Sequence, residues 1–226
     1  MTLLNAPLPP ELAWVGWLLL APFVLLALRA VRHGFLPDGG QQHAWLAGLV
    51  CIAFLWTLQV KVGNGPGFGM LGAALYVLLF GAARGILGLL LALVLHHGLT
   101  GGPWFALGAS GLLYAVLPAL LTAGLQRALA RWLPKNLFIF IIGNGLFVTL
   151  AATAITSTAL LLCSLTLEAA PAAVEQWGEY VGYALLLAWG EALVSGMIFS
   201  ALVIFTPGIV RTYRQDTYLP PRRLRG

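Results

Sequence analysis

From Tyr180 to Phe205 the chain carries one charged side chain, Glu191, in a run that is otherwise apolar or small. A stretch of that length suits the hydrocarbon core of a bilayer, which a helix of about 20 apolar residues crosses. Comparable runs cover residues 12–31, 44–60, 104–125 and 137–167. Only 8% of the 226 residues are charged and 60% are hydrophobic, against about 25% charge in a soluble domain. A water-soluble enzyme is therefore excluded. At about 20 residues per crossing, the expected fold class is all-α: a polytopic membrane helical bundle. The expected organisation is one transmembrane domain over 1–210 and a basic cytoplasmic tail over 211–226.

The stretch 68–99 is apolar but broken by Gly81, Arg84 and Gly85. A charge at the bilayer centre costs at least about 2.5 kcal/mol, so Arg84 belongs at a turn. This predicts two short helices, 69–82 and 86–97, forming a hairpin over 69–97 inside the bundle and bringing the count to about seven spans. With the amino terminus outside, Arg29, Arg32, Arg84, Arg127, Arg131, Lys135 and the arginines from Arg211 onward all fall on the cytoplasmic side, where such residues concentrate. That is eleven of the twelve basic residues, Lys61 being the exception. A single span over 68–99 would put Arg127, Arg131 and Lys135 opposite Arg29 and Arg32. Topology thus accounts for the +5 formal charge and nucleic-acid binding is not expected, although the tail arginines can meet anionic membrane lipid.

Few groups could do chemistry. Glu191 lies well inside its span, where a carboxylate is costly and marks a functional site by default. The alternative is a structural glutamate tying its helix to a neighbour, with Asn144 as a possible partner. Asn144 itself, between Gly143 and Gly145, needs amide partners in the bundle interior. His96 and His97 are candidate metal ligands, though adjacent helical positions point about 100° apart. Cys51 and Cys163 sit in apolar runs and read as small packing residues. Glycines four apart, Gly81/Gly85 and Gly178/Gly182, suit close helix approach. The chain has no HExxH, CxxC, Walker A or GxSxG motif, so no catalytic residue and no cofactor is assigned and an enzyme is not expected. An intramembrane enzyme built on Glu191 would need a polar cavity around it.

Several segments, taken in order, carry a family resemblance: MTLLNAPLPPELAWVGWLLLAPFVLLALR, GPGFGMLGAALYVLLFGA, GGPWFALGASGLLYAVLPALL, WLPKNLFIFIIGNGLF and GEALVSGMIFSALVIFTPGIVRTYRQDTYL. They resemble the CbiM/NikM-type membrane component of cobalt and nickel energy-coupling-factor transporters, in particular the proteobacterial branch called energy-coupling factor ABC transporter permease. The resemblance implies a substrate-capture subunit in the bacterial inner membrane, with its carboxy terminus inside. It also implies a transmembrane coupling subunit and cytoplasmic ATPase subunits as partners, and cobalt or nickel uptake linked to cobalamin supply. Metal-binding members hold the ion through the terminal amine, a histidine at the second position and a histidine before a Leu-Gly-Ala-like segment. Here those two positions hold Thr2 and Gly69, which leaves Ni or Co possible as a substrate without those side-chain ligands. The alternative is an interaction or assembly protein that keeps the fold without binding metal.

Overall fold

A computed structural model describes residues 9–32, 34, 39–61, 67–134, 136–166 and 177–213. Seven helices make up the bundle among them. Helix α1 is Pro10–Val31, α2 is Gly39–Leu55, α3 is Ala73–Phe80 and α4 is Ala82–Thr100. Helix α5 is Trp104–Trp132 and contains a wide π-turn at Leu112–Val116, just before Pro118. Helix α6 joins Leu137–Ile142, a second π-turn at Gly143–Val148, and Thr149–Thr166. Helix α7 is Trp177–Phe205. Between α2 and α3, β1 (Val60–Lys61) pairs antiparallel with β2 (Gly67–Phe68). Five helices, α1, α4, α5, α6 and α7, are long and apolar enough to cross a membrane.

The hairpin expected over 69–97 is present, but its arms are unequal. Helix α3 has 8 residues, about 12 Å, whereas α4 has 19, about 28 Å and enough for a full crossing. The break is one residue, Gly81, whose φ of +83° disfavours a side chain. Arg84 lies in the first turn of α4 rather than in the turn itself. Its Nη2 donates to the Gly34 carbonyl at 2.5 Å, so the guanidinium reaches back to the end of the bundle.

Hydrogen bonds identify which helix ends lie together. Gln41 Nε2 donates to the Gly208 carbonyl at 2.7 Å, and the Arg211 amide to the Leu79 carbonyl at 2.8 Å. With Arg84 on Gly34, these gather the start of α2, the α3–α4 turn and the segment after α7 at the end where α1 stops. The alternation of helices puts Arg29, Arg32, Arg84, Arg127, Arg131 and Arg211 at that end. These are all the arginines among the described residues. At the opposite end Trp14 packs edge-on against Phe105 and Phe68 stacks on Tyr180. Lys135, Glu168, Glu175 and the tail beyond residue 213 lie outside the described residues.

Helices without water between them associate through close backbone approach, and the glycines show where. A β-carbon on Gly108 of α5 would sit 2.5 Å from the Trp17 nitrogen, and one on Gly16 of α1 would sit 2.6 Å from the Ala109 nitrogen. Gly145 and Gly196 bring α6 and α7 together in the same way. Of the glycine pairs noted in the sequence, Gly85 packs under Val77, whereas Gly81, Gly178 and Gly182 have nothing within 4 Å of the β-carbon position. G108V should therefore lower stability by about 3 kcal/mol, seen as a fall in the melting temperature of the detergent-solubilised protein. G98A, at an open helical site, should change it by less than about 0.5 kcal/mol.

Candidate functional site

Helix α3 begins in the interior of the bundle, where its first amides need acceptors. Glu191, near the middle of the 29-residue α7, supplies them. Its Oε2 accepts from the Leu71 amide at 2.6 Å and its Oε1 from the Gly72 amide at 2.8 Å. Thr153 Oγ1 of α6 donates to the same Oε1 at 3.3 Å. Gly72, with φ of +65°, turns the chain so that successive amides converge on the carboxylate. All three partners are donors, so the carboxylate acts purely as an acceptor. Glu191 is 1% exposed and both its oxygens are engaged, which is the arrangement of a latch rather than of a base awaiting substrate.

Leu71 is held from its other side as well: Trp56 Nε1, just beyond α2, donates to its carbonyl at 2.9 Å. The far end of α3 is also closed, because Thr212 Oγ1 donates to the Leu78 carbonyl at 2.5 Å and the Arg211 amide to that of Leu79. Tyr76 in α3 donates its hydroxyl to the Trp45 carbonyl at 2.9 Å, and Trp45 Nε1 donates to the Arg84 carbonyl at 3.2 Å. The short helix is therefore tied to α2, α4, α6 and α7.

Asn144 is not the partner of Glu191. Its Nδ2 donates to the Phe140 carbonyl of its own helix at 2.8 Å, while Thr149 Oγ1 donates to its main-chain carbonyl at 3.2 Å. It repairs the π-turn in which it sits, and such a turn leaves main-chain groups out of the regular ladder. A small pocket of about 180 Å³ beside it, at the arginine end, is lined by Gln126, Arg127 and Thr212 among others.

Gly69 precedes the latched loop. A β-carbon there would lie 3.1 Å from the Leu58 carbonyl oxygen and 3.6 Å from Gln59 Cγ, so the position is closed down on the neighbouring chain. Thr2 and His33 lie outside the described residues. His43 has Nδ1 2.7 Å from the Gly39 carbonyl at the arginine end. His96 and His97 are 1% and 0% exposed near the opposite end of α4. Their rings meet edge-on with centroids 6.0 Å apart, and Trp56 lies 6.4 Å from His96. Among the described residues no three His, Cys, Asp or Glu side chains converge on a metal position.

The sequence pointed to Glu191 but not to Leu71, Gly72, Thr153 or Trp56. The first two act through main-chain amides and Trp56 through one indole N–H, so their side-chain types carry no signal of the role. E191A should leave two interior amides without acceptors and weaken the local structure by about 3–6 kcal/mol. Hydrogen exchange should then speed by more than about 100-fold at Leu71 and Gly72 and change little where α1 meets α5. E191Q, with one acceptor oxygen, should fall between the two.

The family described as CbiM, cobalt uptake substrate-specific transmembrane region, matches residues 4–209. Among solved structures, a transition metal transporter is similar with a TM-score of 0.66 and 23% identity, over 88% of this chain and 92% of that one. A truncated transition metal transporter is similar with the same score and identity, over 87% of this chain and 95% of that one. At that identity the likeness establishes the fold. No curated protein matches.

Proposed function

Because the chain belongs to the CbiM family of cobalt-uptake substrate-specific transmembrane proteins, we propose that it captures Co(II) or Ni(II) for import as the membrane subunit of an energy-coupling-factor transporter. It would work with a transmembrane coupling subunit and cytoplasmic ATPase subunits, and supply metal for cobalamin. The family match over 206 residues, 4–209, carries this reading. The helical bundle and the half-length α3 latched inside it are compatible with a subunit that holds a small substrate among helices.

Orientation follows from charge. The six described arginines share one end of the bundle, and the positive-inside rule assigns that end to the cytoplasm. On this reading the amino terminus of α1 lies outside, and the family match supports the bacterial inner membrane as the membrane concerned.

One observation favours a second reading. The residue before Met70-Leu71-Gly72-Ala73 is a glycine pressed against the Leu58 carbonyl, which offers no side-chain ligand. The alternative is thus an interaction or assembly protein that keeps the fold without binding metal. Deleting the gene in cells grown on limiting metal separates the readings. Cobalt or nickel accumulation should fall severalfold and recover with the intact gene. Unchanged accumulation, with no coupling or ATPase subunit co-purifying and no metal in the purified protein, would select the alternative.

A further inference from the structure

Four buried polar atoms lie on His96, His97 and Tyr114, at the end of the bundle away from the arginines. Both ring nitrogens of His96, Nε2 of His97 and the Tyr114 hydroxyl have no hydrogen-bond partner among the described residues. All three side chains are at most 1% exposed. A buried polar group left unpaired costs about 1–3 kcal/mol, and unpaired groups in native chains call for an explanation, one of which is a bound ion. The rings are neighbours: Trp56 lies 6.4 Å from His96 and 5.7 Å from Tyr114, and His96 lies 6.0 Å from His97.

The histidines are prepared as electron-pair donors. Nδ1 of His97 is 3.0 Å from the Leu93 carbonyl. A carbonyl only accepts, so Nδ1 carries the hydrogen and Nε2 presents a bare lone pair. Metal-bound histidines are commonly oriented this way, with the outer N–H on a main-chain carbonyl. The His96 ring lies against the Ala53 main chain, which can engage one ring nitrogen and leaves the other without a partner among the described residues. With metal–nitrogen bonds of about 2.1 Å, one ion can bridge imidazoles whose centroids are up to about 6.5 Å apart. The observed 6.0 Å falls within that reach, although adjacent helical positions diverge by about 100°.

Trp56, which touches His96, donates to the Leu71 carbonyl, and the Leu71 amide donates to Glu191. Imidazole nitrogens suit Co(II), Ni(II), Cu(II) and Zn(II) over magnesium or calcium.

We propose that His96 and His97 ligate a transition-metal ion through one ring nitrogen each. This rests on the reading of the chain as a metal-uptake subunit and gives that reading ligands at positions other than 2 and 69. Trp56 connects the ion to the loop that Glu191 holds.

The test uses the full chain, without a polyhistidine tag, in lipid nanodiscs. Titrated with Co(II), it should bind one ion with the visible absorption of a nitrogen-ligated site. H96F and H97F keep a ring in place, and each should weaken binding by more than about tenfold, while H33Q/H43Q should bind as the unsubstituted chain does. Should the phenylalanine variants fail to elute as folded protein, Cu(II) electron paramagnetic resonance on the unsubstituted chain decides. Labelling histidine with nitrogen-15 should change the nitrogen hyperfine pattern. Undiminished Co(II) binding by folded H96F and H97F, an unchanged hyperfine pattern, or no binding at all would overturn the site. If import in cells depends on the chain while any of these holds, the site is wrong and the uptake reading stands. If histidine-dependent binding is found while cellular accumulation does not depend on the chain, the site stands and the uptake reading is wrong.

Discussion

A helix that starts halfway through a bilayer leaves main-chain amides where no water can reach them, and the bundle around α3 is arranged to answer that problem. Irregular main chain at membrane depth is tolerated only where protein groups satisfy it. Here one helix does so at both ends of α3. Glu191, in the middle of α7, takes the Leu71 and Gly72 amides, and the segment after α7 supplies the donors for the Leu78 and Leu79 carbonyls. A carboxylate in the membrane interior is costly by itself. The three donors on its oxygens satisfy the buried carboxyl group, which is what a polar group at that depth requires.

The remaining packing lets these polar contacts form. On α7 half of the buried residues are small: Ala184, Ala188, Ala192 and Ser195 flank Glu191, while Leu186, Met197 and Phe205 are exposed. Small inward residues let α6 and α7 approach until Gly145 meets Gly196, which carries Thr153 within reach of the carboxylate. Along α1 the inward positions Ala13, Gly16, Leu20 and Ala27 repeat at helical spacing, and Gly16 meets α5 at Gly108 and Ala109. With large apolar side chains facing lipid, close packing and interior hydrogen bonds hold the helices together.

The broad fold was legible because charge is so scarce. Arg84 and Gly81 announced the break, and the arginines sorted the helix ends. The length of the arms was not legible. Apolar composition runs unbroken across residues 69–72, and only the distant acceptor on Glu191 decides that helix begins at Ala73 and not at Gly69. Arg84 was expected outside the helix because its charge was placed at its Cα, whereas the long side chain carries the charge to Gly34. Glu191 stood out for its type, but its partners are main-chain groups 119 and 120 positions away, which periodicity does not register. Asn144 was matched to the wrong need, since a π-turn in its own helix creates the demand it meets.

The two-ended clamp also has a mechanical consequence. The loop at 71–72 hangs between the carboxylate of α7 and the indole of Trp56, while the other end of α3 hangs on residues that follow α7. Both ends of α3 are therefore fixed by α7 and the residues that follow it. Helix α4 follows α3 after the single residue Gly81 and packs back along it, with Gly85 under Val77 and Gly88 against Tyr76. His96 and His97 ride on α4 and Leu71 rides with α3, and Trp56 touches both. Contacts thus run without a break from residues 208–212 at the arginine end, through α3 and the Leu71 carbonyl, to Trp56 and His96.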